Sequence, residues 1–470
     1  MSLADSGDEL KEYCGVFAAY APGEEVARIA FFALYALQHR GQESAGIATG
    51  DGTRLHVHAQ MGLVNQVFDE GSLSKLIGPA AIGHTRYSTT GSSRVDNAQP
   101  FIVKSDLGPI ALGHNGNLTN ANYLREELNA QGIYPVSSTD SELIGHICAQ
   151  TPGATWIERI RRGLQRLEGA FCLVMATPTQ VFAVRDPFGI RPLCLGRLAT
   201  GAWVAASESC ALDTVGAQFI RELEPGEIVT IDAMGLHTEK LPPKRRAACS
   251  FEHIYFARPD SIIDGCLVYS VRERMGQTLA EEHPVDADLV MPVPDAATPA
   301  AIGYARASGI PFSEGLVKNR YIGRTFIQPD QSMRDSGVAL KLNPLPEVLN
   351  GKRIVVVDDS IVRGTTTPRV VEILRRAGAR EVHMRISSPP MRYPCYLGVD
   401  TAPIEQLIAA TRTVDEIRQH IGADSLGYLS IGGLIRAIGL PEDTFCNACF
   451  HGDYPIPVQL GLDKLVLERP

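Results

Sequence analysis

Residues 353–368, RIVVVDDSIVRGTTTP, decide how the second half of this chain is read. Ile354 to Val357 are four consecutive apolar β-formers, which suits a strand buried on both faces. The strand runs into two adjacent acids, Asp358 and Asp359, then into a small-polar loop and a helix. In that helix Val370, Ile373, Leu374 and Ala377 form one apolar stripe, and Gly378 stands where a C-cap belongs. Gly364 lets the backbone come close to a ligand, while Thr365, Thr366 and Thr367 bring hydroxyls and amides to a helix N-terminus, a suitable seat for phosphate. The acids would repel that phosphate, so they should face hydroxyls or a metal, and paired carboxylates suit the vicinal hydroxyls of a ribose. No Gly-Lys-Ser/Thr follows, so this is not a Walker loop. Two acids alone could equally be a strand end that caps a helix.

Around this segment, 287–295 (ADLVMPVPD) and 380–388 (REVHMRISS) are further short apolar runs. They alternate with helical stretches such as 298–309, which predicts a mainly parallel sheet with its ligand beyond the carboxyl ends of the strands. Upstream, the proline- and cation-rich 239–251 (EKLPPKRRAACSF) reads as a linker. Residues 15–235 read as strands separated by Gly-, Asn- and Ser-rich turns, with helices expected in 24–41 and 154–169. In the latter, Ile157, Ile160, Leu164 and Leu167 share a face and Gly169 offers a stop. The whole is α/β, and 470 residues exceed one ordinary core.

A formal charge of −9 excludes broad nonspecific nucleic-acid binding, which needs a basic surface. No apolar run approaches the roughly 20 residues of a membrane span. The acidic start, MSLADSGDELKEY, has no secretory core, so a cytoplasmic protein is expected, with neither nucleic acid nor membrane as partner.

Segment 353–368 resembles the phosphoribosyl-pyrophosphate loop of the type I phosphoribosyltransferases. The resemblance implies that Asp358, Asp359, Ser360, Arg363, Gly364, Thr365 and Thr366 bind phosphoribosyl pyrophosphate, with magnesium near Asp358 and Asp359. Residues 316–329 (LVKNRYIGRTFIQP) resemble that family's mobile loop. Lys318, Arg320 and Arg324 would close over the pyrophosphate, a dianion that guanidinium forks fit well. Arg334 and Lys341 are weaker candidates. Residues 291–301 (MPVPDAATPAA) resemble the other active-site loop with one departure. Where relatives usually offer a hydroxyl near magnesium, this chain has Ala296, so that side-chain contact is lost.

The first half carries CGVF (14–17), LQHRGQESAGIA (37–48), IGHTRYSTTG (82–91), QPF (99–101), GHNGNLTN (113–120) and STDSELI (138–144). Each is modest alone, and HNGN by itself reads as a turn. In this order they resemble the glutaminase domain of the N-terminal-nucleophile amidotransferases, with its αββα layers. Amide hydrolysis needs a nucleophile, an oxyanion site and a proton acceptor. His39, His84 and His114 lie in turn-like sequence and read as backbone anchors, so the base must come from elsewhere. An α-amino group, with a pKa near ~7.7–8.0, suits proton transfer at neutral pH. Cys14 owns one only if residues 1–13 are removed.

The resemblance therefore implies a propeptide, 1–13, cleaved after Tyr13, a position where acids are common in relatives. It implies Cys14 as nucleophile, with the Asn115 side chain and the Gly116 N–H as oxyanion hole. It also implies Arg86 for the glutamine carboxylate, Asp140 for its ammonium, Thr89 in the enclosing loop, and Tyr255 (in HIYFARPDS) as an interdomain relay.

Ten cysteines in such a chain read as thiols or ligands rather than disulfides. Cys148, Cys172, Cys194, Cys210 and Cys266 have the surroundings of packing residues. Cys249 in the linker, Cys395 in a proline-rich loop and the pair Cys446/Cys449 suit either tetrahedral zinc or a [4Fe–4S] cube, and a lone C-x-x-C also allows a redox pair. Residue chemistry does not choose among them. The surrounding SSPP and FCNACFHGDYP resemble an iron–sulfur-containing, propeptide-bearing subclass of the glutamine phosphoribosyl-pyrophosphate amidotransferases, which implies a structural [4Fe–4S] cluster.

Over nearly the whole chain the resemblance implies a propeptide (1–13), a glutamine amidotransferase domain (14–240) and a phosphoribosyltransferase domain with a cluster-binding C-terminal segment (241–470). It implies transfer of glutamine-derived ammonia to C1 of phosphoribosyl pyrophosphate, the first committed step of purine synthesis, with magnesium and the cluster as cofactors. Feedback inhibition by purine nucleotides and a homotetramer are implied with it. A relative such as glucosamine-6-phosphate synthase would need sugar-isomerase domains where VVVDDSIVRGTT stands. A silent sensor of phosphoribosyl pyrophosphate or iron status has only Ala296 and Tyr13 in its favour.

Overall fold

The computed structural model describes residues 14–87, 91–319, 342–458 and 467. In its first strand, Gly15–Tyr20, both faces are buried and they serve different layers. Val16, Ala18 and Tyr20 pack inward with Ala111, Cys172, Val174 and Val229 of a second sheet. Phe17 and Ala19 pack outward with Ala30, Ala33 and Leu34 of the helix Val26–Ala36. The period of two thus feeds two cores at once.

The first sheet is antiparallel, in the order Gln218–Glu222, Cys194–Arg197, Trp203–Ala206, Gly15–Tyr20, Ala80–Arg86, Ser44–Gly50, Leu55–Met61. The second runs Gly235–Lys240, Glu227–Asp232, Val181–Arg185, Gly169–Ala176, Gly108–Leu118, Phe101–Ser105. Helices Ala121–Ala130, Asp140–Gln150 and Trp156–Leu164 cover its outer face, completing αββα.

Three local expectations change. HNGN is no turn but the interior of the strand Gly108–Leu118, so His114, like His84, is a strand residue. The helix expected to stop at Gly169 ends at Leu164, and Gly169 instead opens a strand at φ +140, where a Cβ would lie 2.3 Å from the Asn117 carbonyl oxygen. The helix Asp140–Gln150 is buried on almost every side, so it carries no amphipathic stripe to reveal it.

In the second half, Leu289–Pro292, Arg353–Asp358, Glu381–Ile386 and Ser425–Tyr428 form a four-stranded parallel sheet in that order. Val355 and Val357 face helices Val268–Glu282 and Thr298–Ser308, while Ile354 and Val356 face Thr367–Arg376 and Val414–Ile421. The proline-rich segment ends buried: Ala248–Cys249 pairs in parallel with Phe445–Cys446, and Ala248 and Phe251 enter the core of the second domain. Among the described residues no helix is long and apolar enough to cross a membrane.

Candidate active sites

Cys14 continues the inward parity of Val16 and Ala18. Asn115 has the same inward direction on the facing sheet, since it lies opposite the inner-core residue Cys172. A pocket at this edge of the sandwich is lined by Cys14, Arg86, Tyr87, Gln99, His114, Gly116, Thr139, Asp140 and Ser141. The Cys14 thiol donates to the Tyr87 carbonyl at 3.4 Å. Burial pushes its pKa up to about 11, partly offset by that contact and by the Arg86 charge. A thiol held neutral in this way needs a local proton acceptor before it can attack.

Asn115 is fully buried, and among the described residues neither atom of its side-chain amide has a hydrogen-bond partner. An unmatched buried amide costs about 1–3 kcal/mol, and its persistence at a pocket points to a ligand that completes it. Gly116 follows at φ +153, where a Cβ would lie 2.0 Å from the Ala170 carbonyl oxygen, so only glycine fits. Arg86 ends its strand buried, paired with Glu43 at 3.3 Å. Asp140 opens the helix Asp140–Gln150 and accepts from the Leu118 N–H at 2.8 Å. One cation and one acid thus flank the thiol pocket, the pattern an amino acid's own charged groups require. Thr89, Tyr13 and the leader lie outside the described residues.

The histidines are anchors. Nε2 of His84 meets the His114 carbonyl at 3.0 Å, and burial lowers the His84 pKa to about 3. His114 touches Ser141 Oγ at 3.1 Å, and burial lowers its pKa as well. His39 bridges the Ala36 carbonyl and Glu208.

An ionic seam between the domains carries no local signal in the sequence. Buried Arg40 bonds both Glu208 of the first domain and Glu252 of the second, and Glu252 lies 3.7 Å from Arg191. Glu208 also accepts from Ser261 at 2.6 Å and from the Arg258 N–H at 2.9 Å. Arg40 sat inside LQHRGQESAGIA, but Glu208 and Glu252 are isolated acids that no local pattern marks. Glu252 begins the short helical turn Glu252–Phe256, which carries Tyr255. Arg272 brackets that turn by donating to the His253 and Ala257 carbonyls, each at 2.8 Å. Burial lowers the Arg272 pKa to about 10, and the charge of Asp359 opposes that, so the guanidinium holding the Tyr255 turn also feels the acid pair.

The second site lies at the carboxyl end of the parallel sheet. Asp358 ends its strand and accepts from the Asp359 N–H at 2.9 Å, and Ser360 Oγ donates to Asp359 at 2.8 Å. Gly364 has φ +68, and its carbonyl meets His420 Nε2 at 3.1 Å. Thr365 is exposed and Thr366 stands at the N-cap position of the helix Thr367–Arg376, so threonine hydroxyls and a helix N-terminus share one loop with half-buried Arg363. Lys318 reaches Asp295 at 2.9 Å, joining the two flanking loops at the site. Ala296 follows, with no donor to offer a cation. Arg320, Arg324, Arg334 and Lys341 lie outside the described residues.

The four remaining cysteines converge. Cys249 lies opposite Cys446 in the parallel pair, and Cys395 packs beside them. Burial raises the pKa of Cys249, and of Cys446 to about 12, and the other sulfurs add to each. Cys449 is raised in the same way. The Phe251 and Ala448 backbone N–H groups oppose this at Cys249 and Cys446, and the Leu397 N–H donates to Cys395 Sγ at 3.4 Å. Sulfurs that repel one another as thiolates, yet receive backbone donors, fit a shared cationic centre such as an iron–sulfur cube. Cys148, Cys172, Cys194 and Cys210 are buried packing residues. Cys266 is half-buried, its thiol 3.8 Å from the Ile438 carbonyl.

Comparison with known proteins agrees with this geometry. Residues 84–214 match the glutamine amidotransferase domain family and residues 269–387 the phosphoribosyl transferase domain family. Fold and pockets together define an amidotransferase fused to a phosphoribosyltransferase. The amidophosphoribosyltransferase of Synechococcus elongatus is 55% identical, covering 98% of this chain and 95% of the relative. That of Bacillus subtilis is 48% identical, covering 96% and 95%. The structure of the glutamine phosphoribosylpyrophosphate amidotransferase from B. subtilis complexed with ADP and GMP superposes with a TM-score of 0.90 at 47% identity, covering 95% of this chain and 98% of that one. The chain belongs to the amidophosphoribosyltransferase family.

Proposed function

We propose that the chain converts glutamine, phosphoribosyl pyrophosphate and water into 5-phosphoribosylamine, glutamate and pyrophosphate, the committed step of purine synthesis. The observation that carries this is the amide of Asn115, unmatched among the described residues and directed into the same layer as Cys14, beside a pocket lined by Cys14, Arg86, Gly116 and Asp140. Cys14 Sγ attacks the side-chain amide carbon of glutamine, passing its proton to the α-amine that removal of residues 1–13 exposes. Asn115 and the Gly116 N–H hold the oxyanion. The C–N bond breaks, ammonia takes the proton, and a thioester remains. Water then adds to the thioester, releasing glutamate and restoring the thiol.

Ammonia must stay uncharged to attack C1 of the ribose, and bulk water at neutral pH would protonate most of it. A passage between the domains, closed by the 316–329 loop with Lys318, Arg320 and Arg324, keeps it dry. Asp358 and Asp359 take the ribose hydroxyls, and the 360–367 loop takes the 5-phosphate. Magnesium beside Asp358 and Asp359 would neutralise the departing pyrophosphate, without help from Ala296. Tyr255, on the turn between Glu252 and Arg272, links the occupancy of one site to the other.

Cys249, Cys395, Cys446 and Cys449 would hold a [4Fe–4S] cluster that ties linker, core and tail together. Purine nucleotides present the same ribose phosphate as the substrate, so they inhibit through the 358–367 loop. The family resemblance supports a cytoplasmic homotetramer. The test is a paired assay: intact mass reports loss of residues 1–13, and turnover is followed for both glutamate and phosphoribosylamine. Processed enzyme that splits glutamine but never aminates the sugar phosphate would overturn the reading.

A further inference from the structure

Resting on that reading, we infer that the loop Cys395–Gly398, contributed by the phosphoribosyltransferase half, is a positioning brace for the oxyanion strand of the glutaminase. Three contacts converge there. Asn117 Nδ2 donates to the Tyr396 carbonyl at 3.0 Å. Arg191 Nη2 donates to the Leu397 carbonyl at 2.5 Å, while the Arg191 carbonyl accepts from Cys172, the strand partner of Asn115, at 3.4 Å. Gly398, at φ +106, lies flat against Gly116: a Cβ added there would stand 3.0 Å from the Gly116 carbonyl carbon and 3.1 Å from both its Cα and Arg191 Nη2.

The loop grips Gly116 and Asn117 directly and reaches the Asn115 position through Arg191 and Cys172 on the neighbouring strand. A strand carrying an unmatched amide and a glycine at positive φ has every reason to relax unless it is held from outside. The glycine at 398 gives the close approach its physical reason. The Gly398 loop contributes no group to the reaction and acts only through the geometry of Asn115 and Gly116.

The test uses the full-length enzyme carrying Gly398→Ala or Asn117→Ala, measured for glutaminase turnover and for ammonia-dependent synthesis. Displacing a donor by a fraction of an ångström should lower the glutaminase kcat by about ten- to a hundred-fold in Gly398→Ala, with the KM for glutamine and the ammonia-dependent rate essentially unchanged. Asn117→Ala should move the same number less far. Should Gly398→Ala fail to fold, Asn117→Ala decides alone. Folded variants with wild-type glutaminase kcat, or with equal losses of both activities, overturn the brace. A wild-type enzyme that never hydrolyses glutamine overturns the functional reading itself and the brace with it.

Discussion

The two sites of this molecule are built in opposite ways. The glutaminase pocket gathers Cys14, Arg86, Gln99, Gly116 and Asp140, with Asn115 next to Gly116 in the chain, from separate strands, loops and a helix, at the edge of a buried sandwich. The phosphoribosyl site is centred on one contiguous segment, the end of an interior strand and the loop after it, at the carboxyl end of a parallel sheet. The first depends on tertiary packing for its chemistry, whereas the second carries its chemistry in local sequence. Perturbing the first should therefore alter one reaction alone, while perturbing the second should alter both the synthesis and its coupling.

The sharpest division comes from Cys14→Ala. Loss of the nucleophile should lower glutamine-dependent synthesis by on the order of 10⁴-fold or more, with ammonia-dependent synthesis retained. Loss of both activities together would break the division of labour between the halves. Asn115→Ala should lower the glutaminase kcat by about 10²–10³-fold with a modest change in KM, because the amide is proposed to act on the oxyanion rather than on bound glutamine. A rise in KM alone would reassign Asn115 to substrate binding.

On the other side, Asp359→Asn should cost roughly 10²-fold in synthesis from glutamine and from ammonia alike, since both nitrogen sources meet the same ribose. Unequal losses would show that the acid serves coupling through Arg272 rather than the sugar.

The same contrast explains what could be read in advance. The acid pair, glycine and threonines at 358–367 follow one another, so the strand, the loop after it and the helix start were legible from residue chemistry. The parallel sheet followed from alternating apolar runs. The glutaminase pocket was legible only because short words resembled a known order, and one of them misled. HNGN looks like a turn because Gly and Asn dominate turns, yet here the same small residues let a strand lie deep between two sheets. The seam of Arg40, Glu208, Glu252 and Arg191 left no pattern, because each charge is explained only by partners far away in sequence. Buried ions of this kind are tolerable only when fully paired, a condition that exists nowhere but in the folded chain.

The smallest effect tests that packing directly. His84 lies fully buried between the sheets beside His114, with Arg86 adding to the burial that lowers its pKa from 6.5 to about 3. In the folded chain it stays neutral across that interval, whereas the unfolded chain takes up a proton. Stability contributed by the neutral ring is therefore fully present above about pH 6.5 and is lost progressively as pH falls toward 3. Glu208 is also depressed, but its contribution declines only once acidification enters the ordinary carboxylate range, below about 4.5. Between about pH 6.5 and 5 Glu208 is silent, but Asp186, whose carboxyl burial raises to about 6, shifts stability the opposite way, so the difference between His84→Gln and wild type, rather than the slope itself, reports the ring. His84→Gln should flatten the fall in melting temperature there by roughly 2–4 °C, whatever its effect on the absolute value. His114 titrates in the same direction, so a residual slope remains. Melting curves for His84→Gln and wild type that shift in parallel across that interval would mean the imidazole is solvated, and that the sandwich at the Cys14 pocket is wetter than a dry oxyanion site allows.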